Sequence, residues 1–206
     1  MMRYPLVFVF LIAASLAACA PPAPPTEPVA WFDPPDLLAD EKAYVVSIAT
    51  TTVPMSPEEL RAFLVDQGSL LVFMEPVGSI APPVGQTAIE GVWPDEGARR
   101  RLIQQDGHQL LERSLKNETS DFRYQAFGFT SGVGRGVDHI YADWSLTPVE
   151  GGTQFDWTYR LAPKHALARI VVRRTRDNAL QPFMQGTLDR MTLAAQAAKS
   201  GPVTAD

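Results

Sequence analysis

The chain has 206 residues, of which 46% are hydrophobic, and its formal net charge at pH 7 is −5. This length is sufficient for one domain with its own core. The acidic balance argues against a nucleic-acid partner and against charge-driven binding to anionic lipid. The only cysteine is Cys19, so the chain cannot form an internal disulfide bond.

Residues 1–18 have the pattern of a secretory signal peptide. Arg3 is followed by an uncharged, mostly apolar run up to Ala18, and small residues precede Cys19. A basic start, a short apolar core and a small-residue cleavage site are typical of such signals. The run is shorter than the roughly 20 residues of a membrane span. We therefore predict that the mature protein begins after Ala18.

The segment Leu16-Ala17-Ala18-Cys19 resembles the lipobox of bacterial lipoproteins. This resemblance implies that a diacylglyceryl group is attached to the thiol of Cys19 and that the new amino terminus is acylated. Ala20 stands where an aspartate would retain a lipoprotein in the inner membrane, which implies the outer membrane, facing the periplasm. The mature chain would keep 17 of the 18 basic residues and all 23 acidic ones, a net charge near −6. An ordinary signal peptide with a coincidental cysteine is the alternative.

Residues 19–41 are rich in proline and predict an extended linker that holds the domain away from the membrane. Trp31 and Phe32 interrupt this linker, and we expect them to dock on the domain, with contact to the bilayer interface as the alternative. Residues 44–53 are β-branched and predict the first strand. Ser56, followed by a proline and two acidic residues, predicts a helix that ends near residue 68. A short helical piece over 70–74 and a connector over 75–85 follow.

The middle of the chain predicts strands over residues 98–104, 108–116, 122–129, 139–146 and 153–160. Asp106-Gly107 is a strong hairpin signal between the first two of these strands. The last two alternate between apolar and polar residues, which indicates one buried and one solvated face. The glycines of 131–136 lack the strand–loop–helix context of a phosphate loop and predict a flexible hairpin end.

Residues 164–199 predict one long helix that is kinked at Pro182. Apolar residues at steps of three, four and seven form one buried stripe. They are Leu180, Phe183, Met184, Leu188, Met191 and Ala195. The basic run Arg169, Arg173, Arg174 and Arg176 predicts a solvated helix face, with contact to lipid headgroups as the alternative. Residues 200–206 form a tail.

These elements indicate an α+β fold, in which a curved antiparallel sheet wraps around the C-terminal helix, with short helices after the first strand. The stretch from Gly97 to Phe129, GARRRLIQQDGHQLLERSLKNETSDFRYQAFGF, resembles a progression common in the SRPBCC superfamily. This superfamily includes START, Bet v 1-like and polyketide cyclase/dehydrase-like proteins. The resemblance implies a helix-grip fold of about seven strands over residues 42–199, enclosing an apolar cavity. It does not imply a shared activity.

A cavity between sheet and helix would be lined by aromatic and apolar side chains that suit a sterol-, polyketide- or acyl-like ligand. From the sheet we expect Trp144, Phe155, Trp157 and Tyr159. From the helix we expect Phe183 and Met184, together with some of Ile170, Leu180, Leu188 and Met191. The alternative is that these side chains fill the core and leave no space, because periodicity does not distinguish the two cases.

Arg100 and Glu112 are the charged candidates for the cavity, where they would pair across adjacent strands inside its mouth and fix a polar ligand head. Their alternative is a pair on the sheet surface. Arg99 and Arg101 should lie on the opposite, solvated face. The histidines His108, His139 and His165 lie on different elements without metal-ligand spacing, so we predict no metal site and no cofactor. We expect His139 to face solvent, with a proton-transfer group formed with Asp138 and Asp143 as the alternative. No catalytic motif is recognisable, so we assign no catalytic residue.

The leading functional hypothesis is a lipid-anchored envelope protein that binds a hydrophobic small molecule without catalysis. The second is a cyclase- or dehydratase-like enzyme, for which Glu112 and Tyr159 are the candidate acid/base groups. The third is an envelope assembly protein with a filled cavity and an apolar binding patch elsewhere.

Overall fold

The computed structural model describes residues 21–66, 69–132 and 134–200. The predicted signal peptide and Cys19 lie outside the described residues, as does the tail after residue 200. The lipobox assignment therefore stays a prediction. Within the described ranges, no helix combines the length and the apolar character needed to cross a bilayer.

Seven antiparallel strands form one sheet in the order β1-β7-β6-β5-β4-β3-β2, which confirms the predicted fold class. The strands are β1 (Val45–Val53), β2 (Pro83–Glu90), β3 (Arg99–Gln104), β4 (Gln109–Asn117), β5 (Asp121–Phe127), β6 (Val137–Val149) and β7 (Gly152–Pro163). The helices are α1 (Pro57–Asp66), α2 (Ala166–Thr175) and α3 (Gln181–Ser200). Short 3-10 turns lie at Glu41–Ala43, Leu70–Phe73 and Gly134–Gly136. Because β1 pairs with the last strand, the two ends of the domain meet in one half of the sheet.

Strand β2 is the element that the sequence pattern missed. The connector predicted over residues 75–85 ends at residue 82, and an edge strand follows that pairs only with β3. Pro83 occupies its first position, where a residue without an N–H is tolerated because the strand lies at the edge of the sheet. None of its eight residues is buried, so apolar and polar residues do not alternate along the strand.

The C-terminal run consists of α2, a π-helical turn at Arg176–Leu180 and α3. Pro182 is the second residue of α3, just after this turn, and its missing N–H removes a normal helical hydrogen bond. The six residues of the predicted stripe are all buried, as predicted. They belong to one core cluster with residues of β1 and β7, among them Val45, Val53 and Leu161. Helix α3 therefore lies in the concave face of the sheet, over its β1–β7 half.

The proline-rich segment 21–40 lies on the outer, convex face of the sheet and does not extend away from the domain. Arg101 donates two hydrogen bonds to the carbonyl oxygen of Val29, at 2.9 Å and 2.6 Å. Gln125 donates from Nε2 to the carbonyl oxygen of Pro35 at 2.7 Å. The predicted spacer is thus part of the folded domain.

Trp31 and Phe32 dock on this outer face, which was the preferred interpretation of the sequence. Both rings meet Phe127 edge-on, each with its centroid 5.2 Å from that of Phe127. The guanidinium carbon of Arg99 lies 4.9 Å from the centroid of the Trp31 ring. Arg99 and Arg101 do face away from the cavity, but they contact this segment and are not freely solvated.

The predicted surface placement of His139 is wrong. Its side chain points to the outer face, as strand alternation requires, but it is completely buried. Its Nε2 lies 3.1 Å from the hydroxyl of Tyr44, and its Nδ1 lies 3.2 Å from the carboxylate of Asp138. The chain that leads into β1 covers this part of the sheet, and strand periodicity holds no information about such a cover.

Candidate functional site

A partly enclosed cavity of about 140 Å³ lies between the concave face of the sheet and the helices. An apolar cavity of this size can hold a benzene-sized molecule. Its walls come mainly from β3, β4, β5 and β6, from the segment 69–83 and from the start of the C-terminal helical run. The cavity thus lies over the half of the sheet that α3 leaves uncovered.

Strand alternation explains which side chains reach this space. Alternate positions of β3, β4 and β5 face the concave side, and most of those that line the cavity are apolar. The lining residues from these three strands are Arg100, Leu102, Gln104, Leu110, Glu112, Phe122, Tyr124 and Ala126. Arg100 and Glu112 therefore stand out as a charged pair on an otherwise mainly apolar surface.

Arg100 and Glu112 are directly opposed partners on β3 and β4. The Arg100 side chain contacts Oε2 of Glu112 through Nε at 2.7 Å and through Nη2 at 2.6 Å. Only 5% of Arg100 and 4% of Glu112 are exposed, so this is a buried pair and not a surface pair. Nη1 of Arg100 also donates to Oε1 of Gln86 at 2.6 Å. The guanidinium carbon lies 3.7 Å from the centroid of the Trp93 ring.

Burial raises the pKa of the Glu112 carboxyl above its usual value, and the positive charge of Arg100 opposes part of this effect. Oε2 of Glu112 carries both contacts to Arg100. Among the described residues, none donates a hydrogen bond to its other oxygen, Oε1. That oxygen is the free acceptor at this end of the cavity.

Two tyrosine hydroxyls provide further polar atoms in the cavity wall. The hydroxyl oxygens of Tyr124 and Tyr159 lie 2.8 Å apart across β5 and β7. Burial is the main cause that raises the pKa of Tyr124 and the pKa of Tyr159 above the usual value. Both therefore stay protonated at neutral pH and can donate or accept hydrogen bonds, but they do not supply a phenolate base.

The structure divides the predicted ligand-binding residues into two groups. Five of them line the cavity, namely Trp144, Tyr159, Phe183, Arg100 and Glu112. The other three, Phe155, Trp157 and Met184, are fully buried in the core and are not among the lining residues. They lie in the core cluster where α3 packs on the β1–β7 half of the sheet. Of the further helix candidates, Leu180 lines the cavity, whereas Ile170 points to solvent and is 67% exposed.

Several lining residues were missed from the sequence. Leu102, Leu110 and Ala126 occupy inward positions of their strands, and the alternation along β3, β4 and β5 carries the signal that would have found them. Leu71 and Met74 line the cavity from the irregular segment before β2. No periodicity marks the residues of such a segment.

One end of the cavity approaches the surface. Of the lining residues, only Ser79 and Asp106 are exposed. They lie beside the β3–β4 turn, together with Ser131 and Gly134 of the β5–β6 loop. We call this end the mouth, defined by residues 79–81 and 104–106 together with residues 131, 132 and 134. The Arg100–Glu112 pair lies toward the other end of the strands and not inside the mouth, where it was expected from the sequence.

The histidines do not form a metal site in the described part of the chain. Nδ1 of His108 lies 3.0 Å from Oγ1 of Thr130, and Nδ1 of His165 accepts from the backbone N–H of Ala168 at 3.1 Å. Within the described ranges, no three His, Cys, Asp or Glu side chains are grouped so that they could hold a metal ion.

A seven-stranded sheet that grips a long C-terminal helix around an apolar cavity defines the protein as a helix-grip domain. Residues 46–196 match the family described as "Polyketide cyclase / dehydrase and lipid transport". Because this match covers most of the chain, the chain belongs to this family, in agreement with the superfamily resemblance. No curated protein matches the sequence.

Solved structures show the same fold at low sequence identity. Ara h 8.0201 is 17% identical with a TM-score of 0.56, and the match covers 74% of this chain and 98% of that one. The ZhuI aromatase/cyclase from Streptomyces sp. R1128 is 15% identical with a TM-score of 0.57, covering 78% and 99%. The di-domain aromatase/cyclase StfQ from the steffimycin biosynthetic pathway is 13% identical with a TM-score of 0.58, covering 78% and 53%.

Proposed function

We propose that the protein is a lipid-anchored envelope protein that binds a hydrophobic small molecule in the cavity without altering it chemically. The ligand would be of lipid, sterol or polyketide type. The observation that carries this proposal is a partly enclosed, mainly apolar cavity whose two buried charged residues, Arg100 and Glu112, pair with each other. An apolar space with few polar groups suits such ligands. Its volume of about 140 Å³ holds only part of one, so the wall would have to move to admit a whole molecule.

The polar atoms of the wall favour a ligand with one polar end. Oε1 of Glu112 would accept a hydrogen bond from a ligand hydroxyl, and the Tyr124–Tyr159 hydroxyl pair would accept or donate another. Trp144 lines the cavity, and its buried indole N–H has no acceptor among the described residues. A carbonyl or hydroxyl oxygen of the ligand would satisfy this N–H.

Native mass spectrometry of the purified mature protein tests ligand binding directly, because a bound apolar molecule copurifies with it. A matched pair of variants localises the site. Ala126→Leu adds volume to the cavity wall, whereas Ala88→Leu adds the same atoms at an exposed position of β2. We expect Ala126→Leu to reduce binding of the copurified molecule, or of the fluorescent probe 1-anilinonaphthalene-8-sulfonate, by about tenfold. Equal binding by both variants would contradict the proposed site.

The proposed lipid anchor and outer-membrane location can be tested separately. Labelling of growing cells with radioactive palmitate should mark the wild type and not Cys19→Ser, and the label should fractionate with the outer membrane. An unlabelled wild type would contradict the anchor and leave the ligand experiment unaffected.

A cyclase- or dehydratase-like enzyme is the second candidate function. The observation that favours it is that both acid/base candidates, Glu112 and Tyr159, line the cavity. Turnover of a poly-β-ketone that is lost in Glu112→Gln, and retained in the exposed control Glu118→Gln, would support the enzyme. If the wild type leaves this substrate unchanged, the binding function is favoured. Absence of any copurified or displaceable ligand would instead favour the assembly protein.

A further inference from the structure

Helix α2 presents an apolar face that no described residue covers. Leu167 is 74% exposed, Ile170 67% and Val171 58%, and their spacing places them on one side of the helix. The opposite side, with Ala168 and Val172, is buried against the domain. Three large apolar side chains at this spacing form a continuous patch, unlike single exposed apolar residues, which are common on soluble proteins.

The ends of this patch carry positive charge. Lys164 precedes α2, and Arg173 and Arg174 lie in its last turn, all of them exposed. Arg174 follows Leu167 by seven residues and so continues the apolar face by one more turn. The sequence from Lys164 to Arg176 contains no acidic residue, although the chain as a whole is acidic. An apolar helix face with long basic side chains at its ends suits the interface of a bilayer.

The other two arginines of the predicted basic run have structural partners. Arg169 donates to the carbonyl oxygens of residues 42–44, and Arg176 donates to the carbonyl oxygen of Val46. They hold α2 to the chain that leads into β1. The exposed cations are therefore those at the ends of the patch.

Helix α2 begins beside the mouth of the cavity. The N–H of Lys164 donates to the carbonyl oxygen of Gly136 at 3.1 Å. Ala168 packs close to the same glycine, because a Cβ placed on Gly136 would lie 3.7 Å from that of Ala168. At the other end of α2, Thr175 lines the cavity. The patch thus adjoins the loop whose residues Ser131 and Gly134 line the mouth.

The described chain also starts at this end of the domain. A Cβ on Gly132 would lie 3.2 Å from Cδ of Pro22, and a Cβ on Gly107 would lie 3.2 Å from Cβ of Pro24. Both glycines belong to loops at the mouth. Cys19 is three residues before Pro22, so it can lie at most about 11 Å from Pro22, even if the chain is fully extended. A lipid on Cys19 would therefore hold the mouth at the membrane surface.

We propose that the face formed by Leu167, Ile170, Val171 and Arg174 rests on the bilayer that carries the anchor. The apolar side chains enter the headgroup region, the cations contact lipid phosphates, and the mouth opens toward the membrane. The apolar contact carries the interaction, because the negative charge of the whole chain opposes binding by charge alone. The hydrophobic ligand then moves between bilayer and cavity without crossing bulk water. This inference rests on the proposed function for the anchor and the ligand.

The orientation can be measured with fluorescent labels on the full-length chain after maturation. Ile170→Cys and the control Val92→Cys each receive one nitrobenzoxadiazole label. Val92 is 73% exposed and lies in the β2–β3 connection, at the end of the sheet away from the mouth. In vesicles of phosphatidylethanolamine and phosphatidylglycerol, brominated lipids should quench the label at residue 170 at least about threefold more than the label at 92.

A second pair of variants tests the role of the patch in ligand exchange. The triple variant Leu167→Ser, Ile170→Ser, Val171→Ser removes only exposed side chains and should fold normally. Its control replaces Val65, Val92 and Leu193, three exposed apolar residues outside the patch, in the same way. We expect the patch variant to take up a fluorescent fatty acid from vesicles about tenfold more slowly than the control. Its affinity for the same fatty acid in detergent solution should be unchanged.

The outcomes separate this inference from the proposed function. Equal quenching at residues 170 and 92 in a protein shown by mass to be lipidated overturns the docking and leaves the anchor intact. If the label at residue 170 is shielded from iodide but not quenched by brominated lipid, the docking on lipid is overturned. The patch would then be covered by protein, which in this sample is a second copy of the chain. Strong quenching without fatty-acid binding supports the docking and contradicts the ligand function. If the mass shows no lipid on Cys19, flotation of the same chain with vesicles tests whether the patch alone binds the bilayer. Equal flotation of both triple variants would then overturn the docking.

Discussion

The buried pair of Arg100 and Glu112 allows a quantitative prediction about the energetics of the cavity. Glu112→Leu leaves the guanidinium of Arg100 with Gln86 and the Trp93 ring as its remaining partners. An unpaired charge at a site this deeply buried destabilises a fold by about 3–5 kcal/mol. Arg100→Met should destabilise by a similar amount near neutral pH, because it leaves the carboxylate without its partner. The double variant replaces the pair by two apolar side chains and should be close to the wild type in stability.

The two single variants should respond differently to pH. Burial already raises the pKa of Glu112 in the wild type, and loss of Arg100 removes the charge that opposes this rise. The folded Arg100→Met variant therefore binds the proton more tightly than the unfolded chain does. Its stability is highest below the unfolded pKa and falls as pH rises through the folded pKa. Glu112→Leu should not show this dependence, because the arginine stays charged throughout.

Urea unfolding followed by circular dichroism measures the free energy of unfolding for the four proteins at pH 7 and at about pH 5. The expected coupling energy between the two positions is several kcal/mol, since each single change should be costly and the double change mild. Additive effects, with a coupling below about 0.5 kcal/mol, would refute the description of a mutually dependent buried pair. The same result would weaken the view that these charges neutralise each other in the cavity wall.

Three further predictions concern the rest of the fold. Phe127→Ala should destabilise by about 3–5 kcal/mol in thermal or urea unfolding, because Phe127 is fully buried beneath Trp31 and the neighbouring Phe32; a loss below about 1 kcal/mol would show that the N-terminal segment does not stay on the sheet. Tyr159→Phe removes one hydroxyl hydrogen bond and should destabilise by about 0.5–1.5 kcal/mol while leaving the circular dichroism spectrum unchanged. Leu188→Ala should destabilise by about 2–5 kcal/mol, whereas the exposed control Leu193→Ala should stay within about 0.5 kcal/mol of the wild type.

The sequence predicted the sheet-and-helix architecture well where a single face of an element is buried. The stripe from Leu180, at the end of the π-helical turn, to Ala195 in α3 is buried at all six predicted positions because helical period and burial coincide. The same reasoning failed for β2. Pro83 and Gly85 favoured a connector, and this edge strand has no buried residue, so apolar and polar residues do not alternate along it. The local sequence pattern predicted an element here when one face of that element is buried and the other is exposed.

The site was predictable in part. Arg100 and Glu112 were named together because they occupy positions of the superfamily progression, and the structure has them opposite each other on β3 and β4. The difference between Trp144, which lines the cavity, and Trp157, which fills the core, was not predictable. Both are inward-facing aromatic side chains on neighbouring strands. They differ only in their position relative to α3, which covers Trp157 and leaves Trp144 beside the cavity.

The line along which α3 crosses the sheet divides the domain into two halves. One is the packed half over β1 and β7, and the other contains the cavity. Over β1 and β7, α3 packs against Phe155 and Trp157, which belong to the core cluster with the largest number of buried residues. Over β3 to β5 the wall is completed partly by the irregular segment 69–83, which is held by few regular hydrogen bonds. A ligand larger than about 140 Å³ would therefore be accommodated by displacement of this segment and not by opening of the sheet. Because the segment lies beside the mouth, enlargement of the cavity and access to it would depend on the same part of the chain.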